Sequence, residues 1–70
     1  MIQSISFFMN GESYYTKTTL TLFDLILYFN YNDCLLVIEH NNLISNKQNW
    51  SQIFIQDQDK IEIVTIVGGG

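Results

Sequence analysis

The stretch that decides the fold is residues 5–29, ISFFMNGESYYTKTTLTLFDLILYF. Its first five residues alternate, so that three apolar side chains share one face of a predicted strand: Ile5, Phe7 and Met9. Asn10-Gly11 follows, and these residue types accept the positive φ angles that a type I′ hairpin turn requires. Residues 14–17 supply the returning strand. The chain is therefore predicted to open with a β-hairpin.

The second half of this stretch carries the signals of a helix start. Thr21 is placed as the N-cap and Asp24 stands three residues later, which predicts a capping box with Asp in place of the usual Glu or Gln. Leu20 before the cap and Leu25 after it are spaced for a hydrophobic staple. A helix is therefore expected directly after Thr21.

The apolar residues of this helix predict which side faces the core. Four of them lie at i, i+3, i+4 and i+7 on one stripe: Leu22, Leu25, Ile26 and Phe29. Phe23 and Leu27 lie off the stripe. The favoured expectation is that they contact a neighbouring loop, and the alternative is a docking or self-association patch.

The rest of the chain consists of shorter segments. Residues 35–39 form a nearly continuous apolar run, which is typical of a strand at the centre of a sheet. Trp50 lies on a predicted one-turn helix within residues 46–51 that covers the end of the core. The other predicted elements are a turn at 40–42, short strands at 43–44 and 53–55, a turn at 56–59 and a final strand at 61–67.

This order of elements predicts an α+β domain over residues 1–67, with a flexible glycine tail over residues 68–70. A mixed sheet of four to five strands is expected to pack on one helix. The first and last strands should pair in parallel, because the helical crossover is right-handed. This architecture resembles the β-grasp fold of ubiquitin-like proteins.

Composition and charge exclude several classes of function. The chain has 70 residues and a formal net charge of −4, with three lysines and no arginine. These values argue against nucleic acid and against an anionic membrane as partners. No apolar run approaches the roughly 18 residues of a membrane span. The lack of Ala, Arg and Pro indicates an AT-rich genome, so the expected location is the cytoplasm, or the plastid stroma if the chain is organelle-encoded.

The chain offers few residues for catalysis. His40 is the only histidine and Cys34 the only cysteine, and they lie at opposite ends of one predicted strand. At about 3.3 Å per residue they are too far apart for a nucleophile–base pair, so Cys34 is expected in the core and His40 in a turn. Asp57 and Asp59 fit a tight turn better than a metal site. We expect no catalytic residue, no metal and no bound cofactor.

The glycines at the end of the chain are the remaining candidate for chemistry. Val67 is followed by Gly68-Gly69-Gly70 and the terminal carboxylate. A tail without side chains can enter a narrow channel of another protein and present only that carboxylate. A carboxylate with a pKa of about 3.5 is ionised and inert at neutral pH, so it must be activated, for example with ATP on a partner. The alternative is a frayed chain end or an added linker.

Several motifs together resemble one family, the sulfur carriers of thiamine biosynthesis called ThiS. They are Asn10-Gly11-Glu12 after the first strand, Thr21-Leu22-Phe23-Asp24-Leu25 at the helix start, Trp50, and the last fourteen residues, DQDKIEIVTIVGGG. The last of these is the specific part, and the others are shared with β-grasp proteins generally. One departure is Gln58, where the family usually has Gly in an Asp-x-Asp turn.

The resemblance implies a carrier on which other proteins act. An E1-like enzyme would adenylate Gly70 with ATP, and a cysteine desulfurase or a rhodanese-type donor would then supply sulfur to form a thiocarboxylate. Thiazole synthase would accept this sulfur. Gly69 would let the tail extend into the partner channels, and Gly68 lies before the family's minimal Gly-Gly.

Three alternatives remain open at this point. The small subunit of molybdopterin synthase shares the fold and the Gly-Gly end, but its members tend to carry Pro before the glycines, where this chain has Ile66-Val67. The second is a ubiquitin-like modifier that is conjugated to lysines, and the third is an interaction domain with inert glycines. Outward-facing residues of the last strand are the candidates for partner binding: Glu62, Val64 and Ile66. The free protein is expected to be a monomer.

Overall fold

The computed structural model describes residues 4–31 and 35–65. The predictions for Cys34, for Ile66 and Val67, and for the tail at 68–70 lie outside these residues. All structural statements below refer to the two described ranges.

The described chain forms a five-stranded mixed sheet with one α-helix packed on it. The strands lie in the order β2-β1-β5-β3-β4, with β1 and β5 parallel and the other neighbours antiparallel. This confirms the predicted α+β class and the parallel pairing of first and last strands. The elements are β1 (Ile5–Met9), β2 (Glu12–Thr16), α1 (Leu22–Tyr28), β3 (Leu36–His40), β4 (Leu43–Ser45), a 3₁₀ helix (Lys47–Gln52) and β5 (Lys60–Thr65).

Two tight turns with similar residues each join two antiparallel strands that are consecutive in the sequence. Asn10 and Gly11 connect β1 to β2 with φ angles of 52° and 83°. Asn41 and Asn42 connect β3 to β4 with φ angles of 53° and 72°. Asn tolerates the left-handed region better than other residues with a side chain, because its short polar group bonds locally. The predicted hairpin turn at Asn10-Gly11 is confirmed.

Helix α1 begins with the predicted capping box. The Asp24 backbone N–H donates to Thr21 Oγ1 at 3.1 Å, and the Thr21 N–H donates to Asp24 Oδ2 at 3.0 Å. Two N–H groups that the first turn leaves without helical partners are thus paired. Such a cap typically contributes about 1 kcal/mol, which matters for a helix of seven residues.

The core lies between α1 and one face of the sheet. Leu22, Leu25 and Ile26 are buried as the stripe predicted, and Phe29 packs partly buried at its edge. Each fully buried Leu or Ile contributes about 1.5–3 kcal/mol. Their buried neighbours come from three strands, from the 3₁₀ helix and from the loop that follows it: Phe7, Met9, Ile38, Trp50, Ile55, Ile61 and Ile63.

The two residues off the helix stripe behave differently from each other. Phe23 packs partly buried against the core, so it needs no partner to cover it. Leu27 is 62% exposed and does not support the favoured expectation of contact with a loop. Trp50 confirms its prediction, because it is 1% exposed and its Nε1–H donates to the Ser45 carbonyl at 3.1 Å.

The predicted strand at residues 53–55 is wrong. The segment makes a single antiparallel bridge, between Phe54 and Thr21, flanked by two backbone hydrogen bonds. The Leu22 N–H donates to the Ile53 carbonyl, and the Ile55 N–H to the Leu20 carbonyl. The pairing cannot continue, because the partner segment turns into α1 at Leu22. The apolar run at 53–55 therefore places Ile55 in the core without making the segment a strand of the sheet.

His40 was predicted in a turn and is instead the last residue of β3. Its Nε2 lies 2.7 Å from Oδ2 of Asp59, which is only 6% exposed. The same carboxylate accepts from Asn41 Nδ2 at 3.0 Å and from the Gln56 N–H at 2.8 Å. The prediction failed because His40 pairs with Leu43 of β4 and with Ile61 of β5. The sequence gives no sign of these pairings, or that residues 40–41 lie beside residues 56–59.

Asn41 extends this cluster to the first residue of β5. Its Oδ1 accepts from the Lys60 N–H at 2.8 Å, and its own N–H donates to the Lys60 carbonyl at 2.8 Å. Asp57 holds the other side of the loop, because its Oδ1 accepts from the Ser6 N–H at 2.8 Å. The start of β5 is therefore fixed from both sides by polar groups.

Gln58 keeps the backbone geometry for which Gly is suited. Its φ is 70°, in the left-handed region, which costs a residue with a Cβ about 1–2 kcal/mol. Gly avoids that strain but loses about 0.5–1 kcal/mol of chain entropy on folding. We expect Gln58→Gly to raise the free energy of unfolding by about 0.5–1 kcal/mol in urea denaturation. Gln56→Gly, two residues earlier and without a positive φ, should lower it by a similar amount. Equal effects of the two changes would contradict a strained turn.

Asp59 should make stability depend on pH in acid. Burial raises the pKa of this carboxyl, but the hydrogen bonds from His40, Asn41 and the Gln56 N–H outweigh burial and leave the pKa below its ordinary 3.8. A carboxyl with a lowered pKa stabilises the fold above the unfolded pKa and loses that contribution as pH falls through the folded pKa. Stability should therefore hold from neutral pH to about pH 5 and decline below about pH 4.

The test compares urea denaturation at pH 7 and at pH 3. Asp59→Asn should cost about 1–3 kcal/mol at pH 7, because its amide places a donor against other donors, and should lose less stability than the wild type between the two pH values. Asp57→Asn, at an exposed position, is the matched control and should keep the wild-type loss. An equal decrease in the free energy of unfolding between pH 7 and pH 3 in all three proteins would refute the role of Asp59.

Candidate functional site

Strand β5 is the element that leads into the C-terminal glycines. It pairs with β3 along its length, from His40 opposite Ile61 to Leu36 opposite Thr65. Its pairing with β1 covers only Lys60 and Ile61. The second half of β5 is therefore held by a strand on one side only. Residues 66–70 follow it directly in the sequence.

Asn10 supplies a contact on the side of β5 where β1 has ended. The Asn10 backbone N–H donates to the Ile61 carbonyl at 2.9 Å. Its side-chain Oδ1 accepts from the Ile63 N–H at 2.8 Å. One residue of the hairpin turn therefore bonds two successive inward-facing residues of β5.

The side chains of β5 alternate between the core and the opposite face of the sheet. Ile61 and Ile63 are buried against the core. Glu62 and Val64 point the other way, and Val64 is 51% exposed. The predicted outward orientation of these two residues agrees with the structure. The third candidate for partner binding, Ile66, lies outside the described residues.

The strand register extends this outward surface across the sheet. Val37 lies opposite Val64 on the neighbouring strand, and Glu39 lies opposite both Glu62 and Ile44. We call the side of the sheet away from α1 the open face. It carries apolar side chains and both carboxylates, and its members are Phe8, Val37, Glu39, Ile44, Lys60, Glu62 and Val64.

Charge on the open face is concentrated at one cross-strand pair. Glu39 and Glu62 face each other directly, an arrangement that is destabilising for like charges. Lys60 offsets this weakly, with its Nζ 3.9 Å from Glu62 Oε2 at the surface. Two carboxylates among apolar side chains fit a partner surface that is apolar with a basic residue.

The sequence missed five members of the open face: Phe8, Val37, Glu39, Ile44 and Lys60. Residues 35–39 were interpreted as a strand at the centre of the sheet, covered on both faces, because four of the five are apolar. Only strand register shows that Val37 and Glu39 point away from α1. The alternation of Phe8 with the core residues Phe7 and Met9 was the one sequence signal available.

Other surfaces of the described residues offer little chemistry. No group of three side chains there could hold a metal ion. Within the same ranges, no helix has the length and apolar character to cross a membrane. A cavity of about 300 Å³ lies between β2 and α1, lined mainly by aromatic and aliphatic groups such as Tyr14, Tyr28 and Phe29. His40 is engaged with Asp59 and has no nucleophile as its partner.

Comparison with known proteins places this geometry in a family. The chain is 60% identical over 65 residues to the uncharacterized protein ycf40 of Trieres chinensis, a match that covers 93% of this chain and 89% of that protein. It is 33% identical over 63 residues to the sulfur carrier protein ThiS of Bacillus subtilis (strain 168), with 89% of this chain and 96% of that protein covered.

A solved structure supports the same assignment at the level of the fold. The thiamine biosynthesis protein (ThiS) of Geobacter metallireducens superposes with a TM-score of 0.79, covering 94% of this chain and 100% of that one, at 17% identity. The sequence model of the ThiS family matches residues 7–70, which include β5 and the terminal glycines. The chain therefore belongs to the ThiS family and has the ubiquitin-like β-grasp fold.

Proposed function

We propose that this protein carries sulfur for thiazole formation in thiamine biosynthesis, on the terminal carboxylate of Gly70. The observation that carries the proposal is that the central strand of a ThiS-family domain is followed in the sequence by Ile66-Val67 and then by three glycines. The protein is then a co-substrate of partner enzymes and not an enzyme itself.

The terminal carboxylate needs activation before it can accept sulfur. In the proposed cycle an E1-like enzyme joins the Gly70 carboxylate to the adenylate of ATP and releases pyrophosphate. A persulfide sulfur on a cysteine desulfurase, or on a rhodanese-type donor, displaces AMP and forms an acyl disulfide with Gly70. A thiol then attacks the donor's sulfur, which breaks the S–S bond and leaves the thiocarboxylate on Gly70, while the thiol and the donor form a disulfide. Thiazole synthase then takes the sulfur. Gly68 and Gly69 have no side chains to obstruct passage through a partner channel.

The open face is the surface we assign to partner docking. Val64 is exposed near the end of β5, and Val37 and Ile44 extend an apolar surface beside it. Glu62 and Glu39 add negative charge that a basic group on the partner would neutralise. Ile66 is included on sequence grounds, since it continues the alternation of Glu62 and Val64.

Two other roles of the same fold compete with this one. The small subunit of molybdopterin synthase is disfavoured because Ile66-Val67 precedes the glycines and the chain has no proline. A ubiquitin-like modifier would form isopeptide adducts, whereas a sulfur carrier is recovered free. The expected location is the cytoplasm, or the plastid stroma if the chain is organelle-encoded, and the ycf40 relatives support the plastid.

The direct test is mass spectrometry of the intact protein. Incubation with ATP, the E1-like enzyme, a cysteine desulfurase and cysteine should replace one oxygen of Gly70 by sulfur. A chain with one alanine added after Gly70 is the control and should stay unmodified, because its carboxylate is displaced from the reacting position. Conversion of the extended chain, or isopeptide adducts in place of a thiocarboxylate, would rule out the proposed role.

A second test concerns the docking surface. Glu62→Lys should raise the apparent KM of the E1-like enzyme for this protein about tenfold or more, since it places a cation where we expect a basic partner group. Glu12→Lys makes the same charge change on β2 and should leave the KM within about twofold of the wild type. Unchanged adenylation and sulfur delivery in the Glu62 variant would count against the open face as the docking surface.

A further inference from the structure

The hairpin residue Asn10 does two separate things. Its backbone has a φ of 52° and makes the turn between β1 and β2. Its side-chain Oδ1 accepts the N–H of Ile63, which lies 53 residues away in sequence. The backbone of Asn10 thus forms part of the hairpin turn, while its side chain bonds to β5. The turn and the last strand are joined at this one residue.

The second contact replaces a missing part of the parallel ladder. The Phe8 N–H donates to the Asp59 carbonyl and the Asn10 N–H to the Ile61 carbonyl, the regular alternation of a parallel pair. If β1 continued, its next carbonyl would accept the Ile63 N–H. The chain turns away at Asn10 instead, and the side-chain oxygen occupies that position. Without it, the amide of Ile63, a residue only 7% exposed, would lose its partner.

This contact extends the support of β5 by one step toward its end. On the β3 side, pairing reaches Thr65, but on the β1 side backbone pairing stops at Ile61. The Asn10 side chain is what holds the second half of β5 on that side. A strand bonded on both edges has a fixed direction, whereas one bonded on a single edge can twist away.

We propose that Asn10 is a positioning residue that fixes the direction in which β5 delivers the C-terminal glycines to the activating enzyme. This inference rests on the proposed function. The physical basis is pre-organisation. If β5 already has the direction that the enzyme requires, binding does not have to include the free-energy cost of ordering it. The proposed role of Asn10 is exerted through its hydrogen bond to β5.

Two substitutions separate the turn from the side-chain contact. Asn10→Gly suits the positive φ of the turn and removes the acceptor. Asn10→Asp keeps an acceptor oxygen and is also a favoured residue of this turn type. Thr21→Ala, which removes the helix cap on a different element, lowers global stability by about as much as one lost hydrogen bond and is the control for stability alone.

Two measurements are made on the wild type and on these variants. The first is amide hydrogen exchange, compared between Ile63 and its neighbour Ile61. The second is the dependence of ATP–pyrophosphate exchange by the E1-like enzyme on carrier concentration, which yields KM and kcat separately. The first readout needs no partner, so it stands apart from the proposed function.

The expected pattern is specific to Asn10→Gly. Exchange at Ile63 should become about tenfold faster relative to Ile61, the effect of one lost hydrogen bond. The KM should rise about three- to tenfold with kcat unchanged, since the bound tail is held by the enzyme. Asn10→Asp should stay close to the wild type in both readouts, and Thr21→Ala should leave the KM unchanged.

Several results would overturn the inference. They are unchanged exchange at Ile63 in Asn10→Gly, a wild-type KM despite faster exchange, and an Asn10→Asp variant as impaired as Asn10→Gly. A KM that rises equally in Thr21→Ala would assign the effect to global stability. If the wild type itself is never adenylated, the proposed function is wrong, and the role of Asn10 in presenting the tail is wrong with it. The exchange data would then show only that Asn10 supports the Ile63 amide.

Discussion

The hydrogen bonding of β5 on both of its edges is the constraint on which the rest of the structure depends. The strand is last in sequence and central in the sheet, parallel to β1 and antiparallel to β3. The two halves of the sheet, β2-β1 and β3-β4, meet only at this strand. A chain end is usually the least restrained part of a domain. Here the last described strand is instead bonded on both of its edges as far as Ile63.

Strand β5 is held by polar contacts at its start and at the Ile63 amide, and by apolar burial of its inward-facing side chains. At its start, the buried carboxylate of Asp59 bonds His40, Asn41 and the Gln56 amide. Ile61 and Ile63 then bury their side chains beneath α1. Where β1 has ended, the Asn10 side-chain oxygen accepts a hydrogen bond from the Ile63 N–H. Apolar burial supplies most of the free energy of such a domain but has no direction, whereas hydrogen bonds fix register and orientation.

Under the proposed function, recognition and chemistry are assigned to separate parts of the chain. The open face offers apolar residues and the Glu39–Glu62 pair for recognition, and the proposed chemistry takes place on residues without side chains. The body then needs no catalytic group, and its one histidine is used in a structural contact with Asp59. Two facing carboxylates are destabilising in the free protein, and the basic partner group that we propose would offset this repulsion.

The sequence determined the local elements and the family. The hairpin turn at Asn10-Gly11, the capping box at Thr21 and the burial of Trp50 were predicted because their physics acts over a few residues. The parallel pairing of first and last strands also followed, from the handedness of the crossover. The motif at residues 57–70 pointed to the ThiS family, which the family match confirms.

Only the tertiary structure decided what depends on contacts between distant segments. It reduced residues 53–55 to a bridge, moved His40 from a turn into β3 beside Asp59, and set Glu39 opposite Glu62. It also joined Asn10 to Ile63 across the chain. A sequence records which residues prefer a turn, a helix or burial, but register and side-chain pairing are set when the whole sheet packs. Those pairings are a property of the assembled fold and of no single segment.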